Sequence, residues 1–151
     1  MLNQKKLTDG ITVSGQPSAE ELQHLLEHGF HTVINLRTPD EEGVLADEER
    51  LVEGAGLNYA SVPVSPATLD DAAVERFVQA LNAVDGQPAL VHCHGGGRAG
   101  LMALLHQAVT HGWSLQQALA EGEKHGVAPA ADSPYRKFFE EFIKRHSPAE
   151  R

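Results

Sequence analysis

A chain of 151 residues, 41% of them apolar, has the length and composition of one domain with one core. Its formal net charge of −9 excludes a nucleic-acid partner, whose phosphates would be repelled, and no apolar run is long enough to span a bilayer. A single cysteine excludes an internal disulfide, and the polar start from Met1 to Lys6 lacks an apolar leader, so a reducing, cytoplasmic setting is expected.

Short β-type runs alternate with helical patterns along the chain, the signature of an α/β layer fold. Asp9-Gly10 signals a turn ahead of the extended Ile11 to Val13. Ser18 and Glu21 have the spacing of a capping box and open a helix with Leu22, Leu25 and Leu26 on one face, stopped by Gly29. His31 to Leu36 reads as an interior strand, Asp47 to Glu53 as a short charged helix, and Leu57 to Val64 as a strand ended by Pro66. Val74, Phe77, Leu81 and Val84 recur at helical spacing, which predicts an amphipathic helix over Leu69 to Asp85, with Thr68 and Asp71 as its cap.

Ala89 to Val91 is β-type, and Ala99 to His111 is helical and apolar on nearly every face, as a helix buried against a sheet must be. Ser114 with Gln117 caps the next helix. Ser133-Pro134 begins the last, with Tyr135, Phe138, Phe139, Phe142 and Ile143 facing inward. The tail from Ser147 to Arg151 reads as a frayed end.

Between that last strand and the apolar helix lies His92-Cys93-His94-Gly95-Gly96-Gly97-Arg98. A strand, a glycine turn and a helix N-terminus aim several backbone N–H groups at one point, which favours an anion and equally the thiolate of a cysteine placed there. Arg98 can present a planar fork to a tetrahedral oxyanion. A lone cysteine is often an inert core residue and a glycine run often only a flexible turn, but neither explains all three features in one connection. The triplet His92-Cys93-His94 is a poor metal site, because adjacent residues on extended chain face opposite ways and no second Cys/His pair completes a shell.

Two stretches carry a family resemblance. The run ITVSGQPSAEELQHLLEHGFHTVINLRTPDEE resembles the opening of bacterial phosphatase-like domains of the beta-lactamase-hydrolase-associated type. PALVHCHGGGRAGLMALL resembles the signature loop of cysteine-dependent protein tyrosine and dual-specificity phosphatases. The likeness runs from about Ile11 to Phe142 and implies a three-layer α/β fold, a central, mostly parallel sheet of four to five strands flanked by helices. It implies Cys93 as the nucleophile, the N–H groups of His94, Gly95, Gly96, Gly97 and Arg98 as the oxyanion cradle, Arg98 as its clamp and His92 as a residue holding the loop. The implied substrate is a phosphorylated small molecule or a phosphotyrosine protein, with neither metal nor cofactor.

Two departures stand out. The usual phosphatase signature has five residues between Cys and Arg; here there are four, His94 to Gly97. That spacing also describes rhodanese-type sulfurtransferases, so sulfane sulfur carried on Cys93 is an alternative, as is a non-catalytic oxyanion-binding module. The general acid is also displaced: Ser65 stands where these phosphatases often carry aspartate. Asp40 is the candidate acid, with Asp70 and Asp71 as the others, and Arg37 is a second anion-binding candidate.

Overall fold

The computed structural model describes residues 1–148. Five strands form one sheet in the order β1 (Lys5–Thr8), β2 (Ile11–Ser14), β5 (Ala89–His92), β3 (Thr32–Asn35), β4 (Asn58–Ser61). β1 pairs antiparallel with β2, and the other three pairings are parallel. The helices are α1 (Ala19–Gln23), α2 (Glu48–Gly54), α3 (Asp71–Asn82), α4 (Gly97–His111), α5 (Leu115–His125) and α6 (Pro134–His146). The expected α/β architecture with a mostly parallel sheet is therefore the one observed. Among the described residues, no helix is long and apolar enough to cross a membrane.

Alternation along the buried strands divides the core in two. Val33 of β3 and Leu90 of β5 face α1 and α2, packing with Leu22, Leu25, Phe30, Val52 and Leu57. Their neighbours Ile34, Ala89 and Val91 face the other way, against Val74, Phe77, Leu101, Leu105 and Phe139. Connection handedness accounts for this division. The chain steps outward from β2 to β3 to β4 with α1 and α2 on one face, then reverses to β5 through α3, which must cross on the other. Helix α4 lies in the second layer and is buried from Ala99 to Ala108, as its all-round apolar sequence requires.

Several predicted boundaries move, each for a local reason. The antiparallel β1 was not foreseen, because Lys5 and Lys6 break its apolar pattern; only Leu7 is buried in that strand. The helix opened by the Ser18–Glu21 capping box ends at Gln23 and continues as a separate 3-10 turn, Leu26–His28, before Gly29. β4 stops at Ser61 because Pro63 has no N–H to give, although Val62 and Val64 still donate to Asn35 and Leu36. The cap of α3 is Asp70, whose side chain accepts from the Ala73 N–H at 2.8 Å; Thr68 bonds Ser65 instead. Ser147, read as part of a frayed tail, is buried and donates to the Trp113 carbonyl at 2.7 Å; residues 149–151 lie outside the described residues.

The parallel strands end in register: Ser14 beside His92, and His92 beside Asn35, which pairs with Ser61. Their carboxyl ends therefore form one row, and the loops that follow β2, β3, β4 and β5 meet beyond it, with the central strand β5 leading into the glycine turn.

Candidate active site

Only Cys93 to Gly96 connect β5 to α4, so the turn is held short between two buried elements. Gly96 has φ 101°, in the left-handed region where a side chain is disfavoured, and its N–H donates to Cys93 Sγ at 3.1 Å. The turn's carbonyls are tied down on the outside. The His94 carbonyl accepts from the Gln16 N–H at 3.0 Å, and the Gly95 carbonyl from Asn3 Nδ2 at 2.8 Å. In a planar trans peptide the N–H points opposite to the carbonyl, so these bonds turn the N–H groups of Gly95 and Gly96 inward. Gly15 closes the outside of the turn, where a Cβ would lie 2.7 Å from the His94 carbonyl oxygen.

Arg98 stands in the first turn of α4. Its Nη1 donates to Glu41 Oε2 at 2.7 Å and to the Val64 carbonyl at 2.8 Å, and its Nη2 donates to Glu41 Oε1 at 2.8 Å. Glu41 therefore grips one edge of the guanidinium bidentately. Nε has no partner among the described residues, so the Nε–Nη2 edge is left for an oxyanion. The Arg98 guanidinium holds the Glu41 carboxyl far below the usual carboxylate range, helped by the Thr38 N–H and Arg37 against the opposing effect of burial. The same pairing raises the pKa of Arg98, with the Cys93 sulfur adding to it. Arg98 is a fixed cation.

Behind the turn runs a chain of buried polar contacts. His92 Nε2 meets Glu48 Oε2 at 2.6 Å, Gln16 Nε2 donates to Glu48 Oε1 at 2.8 Å, and Arg37 Nη1 donates to Gln16 Oε1 at 2.9 Å. Arg37 Nε closes the chain by donating to Glu41 Oε1 at 3.2 Å. His92, Cys93, Arg37 and Glu48 are all at most 3% exposed.

The turn residues predicted from sequence converge here: His92, Cys93, Gly95, Gly96, Gly97 and Arg98. The ring of His94 is exposed, and its backbone carbonyl anchors the turn. Asp40 is also exposed, and its carboxylate accepts from the Thr38 hydroxyl at 2.6 Å. Its neighbour Glu41 reaches Arg98. Asp70 caps α3, and Asp71 is paired with Arg145 and His146 at the far end of α6. Arg37 is buried and held by Gln16, Glu41 and two carbonyls.

Sequence reasoning did not single out Glu41, Gln16, Glu48 or Tyr135. Three consecutive acids, Asp40 to Glu42, are equivalent in sequence, and the turn from Thr38 to Glu41 decides which faces inward. A cavity of about 390 Å³ adjoins the turn, lined by Gly95, Gly96, Gly97, Lys5, Ser133 and Tyr135. Burial raises the pKa of the Tyr135 phenol, which stays protonated.

The family described as "DSP-PTPase phosphatase fused to NAD+ kinase" matches residues 3–134. The chain is similar to a beta-lactamase hydrolase-like protein of Xylella fastidiosa, 30% identical over 124 residues that make up 80% of this chain and 28% of that protein. It is also similar to the dual specificity protein phosphatase TpbA of Pseudomonas aeruginosa, 28% identical over 133 residues, 87% of this chain and 58% of TpbA. The match thus spans about a quarter to just over half of these relatives. In fold, the chain resembles a putative phosphatase of Shewanella putrefaciens CN-32, with TM-score 0.84 and 24% identity over 97% of this chain and 94% of that one. It also resembles TpbA crystallised in complex with phosphotyrosine, with TM-score 0.75 and 23% identity over 99% of this chain and 90% of that one. With the family matched over most of its length, the chain belongs to the DSP-PTPase phosphatases.

Proposed function

We propose that this chain hydrolyses phosphoric monoesters through a cysteinyl-phosphate intermediate, with aryl phosphates or phosphotyrosine as the substrate class. The observation that carries the reading is Cys93 Sγ receiving the Gly96 N–H at 3.1 Å, beneath a turn whose helix begins with an Arg98 held on one edge only. The Cys93 thiolate attacks phosphorus and forms the S–P bond as the P–O bond to the leaving group breaks, its electron pair departing on oxygen. The N–H groups of the turn and the free edge of Arg98 hold the non-bridging oxygens as charge builds on them. Water then attacks phosphorus, the S–P bond breaks with its electron pair returning to sulfur as the thiolate, and inorganic phosphate leaves carrying the protons of that water.

An aryl leaving group fits the carboxylates present. Asp40, Asp70 and Asp71 each have the carboxylate engaged by another group, and Glu41 is held ionised by Arg98. A phenolate departs without a strong acid, whereas an alkoxide does not, and a missing general acid typically costs about 10²–10⁴-fold. TpbA, a relative, has been crystallised with phosphotyrosine, which supports the same substrate class. Asp40, next to the Glu41 that binds Arg98, serves as the acid in this reading only after release from the Thr38 hydroxyl.

Purified protein is expected to release phosphate from p-nitrophenyl phosphate, and Cys93→Ser to abolish release with an unchanged circular dichroism spectrum. Turnover of thiosulfate in place of the phosphate ester would assign the four-residue spacing to sulfur transfer instead.

A further inference from the structure

We infer that the cavity beside the glycine turn is a second anion subsite, where Lys5 and Tyr135 hold an acidic group carried on the leaving part of the substrate. The inference rests on the phosphoric-monoester reading above and narrows its substrate class. The preferred ester bears a second oxyanion, a carboxylate or a further phosphate.

The cavity, of about 390 Å³, lies between Gly95 to Gly97 on one side and residues 126–130, in the connection from α5 to α6, on the other. That far wall is held by its own hydrogen bonds. The N–H groups of Val127 and Ala128 donate to the Gly122 carbonyl at 2.8 and 3.1 Å, and the Ser133 N–H donates to the Ala130 carbonyl at 2.9 Å. Arg136 Nη1 donates to the Pro129 carbonyl at 3.0 Å. A Cβ on Gly100 would lie 3.1 Å from that of Val127, so the wall also rests directly on α4. Binding here costs little further ordering.

Charge decides what such a space accepts. None of the residues lining it is acidic, although the chain holds 21 Asp and Glu against 12 Lys and Arg. Lys5 brings a positive charge. Its Nζ donates to the Gly126 carbonyl at 2.6 Å, and no carboxylate among the described residues pairs with it, so two donors and the charge remain. Its neighbour Lys6 points to the opposite face of β1 and pairs with Asp9 at 3.2 Å. Tyr135 lines the same cavity, and its hydroxyl meets no hydrogen-bond partner among the described residues. The Ser133 hydroxyl accepts the Tyr135 N–H at 3.1 Å and keeps its own proton to donate. A cation and several donors with no opposing charge suit an oxyanion. The cavity is also continuous with the reaction site. Its glycines belong to the turn that cradles the phosphate, and Tyr135 lies within electrostatic range of Arg98 and Cys93. One molecule can therefore occupy both.

The test compares kcat/KM for para-methylphenyl phosphate with aryl phosphates carrying a carboxymethyl or phosphonomethyl group at the meta or para position. The methylene keeps the acidity of the phenol nearly constant, so the leaving group is equally good throughout. At least one anionic ester should be preferred over the methyl ester by about 3- to 10-fold, mostly through a lower KM. Preference for the carboxymethyl ester assigns a carboxylate, and preference for the phosphonomethyl ester assigns a second phosphate. The preference should fall below about twofold in Lys5→Met, fall in part in Tyr135→Phe and persist in Lys6→Met. The ratio is the readout because a loosened wall would slow every ester alike. Equal kcat/KM for charged and uncharged esters, or a preference that survives Lys5→Met, overturns the inference. If no ester turns over, the hydrolase reading fails, and calorimetric binding of the same compounds to Cys93→Ser decides the subsite separately. Tighter binding of an anionic ester, lost when Lys5→Met is added, supports it; equal binding overturns it.

Discussion

Glu41 fixes which edge of Arg98 faces the site, and its charge ties the arginine-binding loop to the helix. Charge-assisted hydrogen bonds of this kind contribute about 1.5–3 kcal/mol, so Glu41→Gln should lower kcat/KM for an aryl phosphate by about 10- to 100-fold. Steady-state kinetics on p-nitrophenyl phosphate measure this, and a change below twofold would show that Arg98 holds its orientation without Glu41. The pair also makes stability depend on pH. The carboxyl of Glu41 is held far below its ordinary value of 4.5, so its contribution is complete above that value and is lost as pH falls from there towards the folded pKa. Urea midpoints at pH 7 and pH 4 should therefore differ more in the native protein than in Glu41→Gln. At this scale the sequence disclosed the residues that are local in the chain: Cys93, the glycines and Arg98 occupy one connection. It could not disclose Glu41 or Glu48, 57 and 44 residues from their partners, because nothing in RTPDEE or DEERL distinguishes the buried acid from its exposed neighbours.

At the scale of elements, the strand–turn–helix unit works only if the turn stays compressed against the end of β2. Gly96 requires a positive φ, and an alanine there costs about 1–2 kcal/mol. Gly95 has no atom within 4 Å of a built Cβ and no positive φ, so Gly95→Ala should change stability by no more than about 0.5 kcal/mol. Paired urea unfolding of the two variants checks the contrast, and equal losses would contradict the role given to Gly96. Gly15→Ala acts from outside the turn: its Cβ would meet the His94 carbonyl at 2.7 Å and must displace the cradle, lowering activity more than stability. Kinetics and melting temperature measured together test this. The helices were legible where a capping side chain or an apolar period marks them, as at Ser18, Ser114 and Ser133. β1 was not, since an edge strand buries little and its pairing partner, rather than its own pattern, makes it a strand. The spacing of Thr68 and Asp71 suggests a cap for α3, but Thr68 is taken up by Ser65 and Asp70 accepts from the Ala73 N–H instead.

Over the whole molecule, two cores on opposite faces of one sheet hold the strand ends in register, and the site occupies the row where they stop. Phe139 of α6 is fully buried in the larger core. Phe139→Ala should cost about 3–5 kcal/mol, a large share of the roughly 5–15 kcal/mol that holds a domain together, and urea unfolding would register it as a lowered midpoint. The α/β class was readable from the alternation of patterns, whereas the strand order was not, because β5 inserts between β2 and β3 only through contacts distant in sequence. The proposed function turns on one sulfur atom, and rapid-quench intact mass spectrometry after mixing with an aryl phosphate interrogates it directly. The account predicts one transient phosphoryl adduct that maps to Cys93, decays as phosphate appears and is absent in Cys93→Ser. Phosphate release that persists without Cys93, or turnover with no adduct on it at any time, would contradict it.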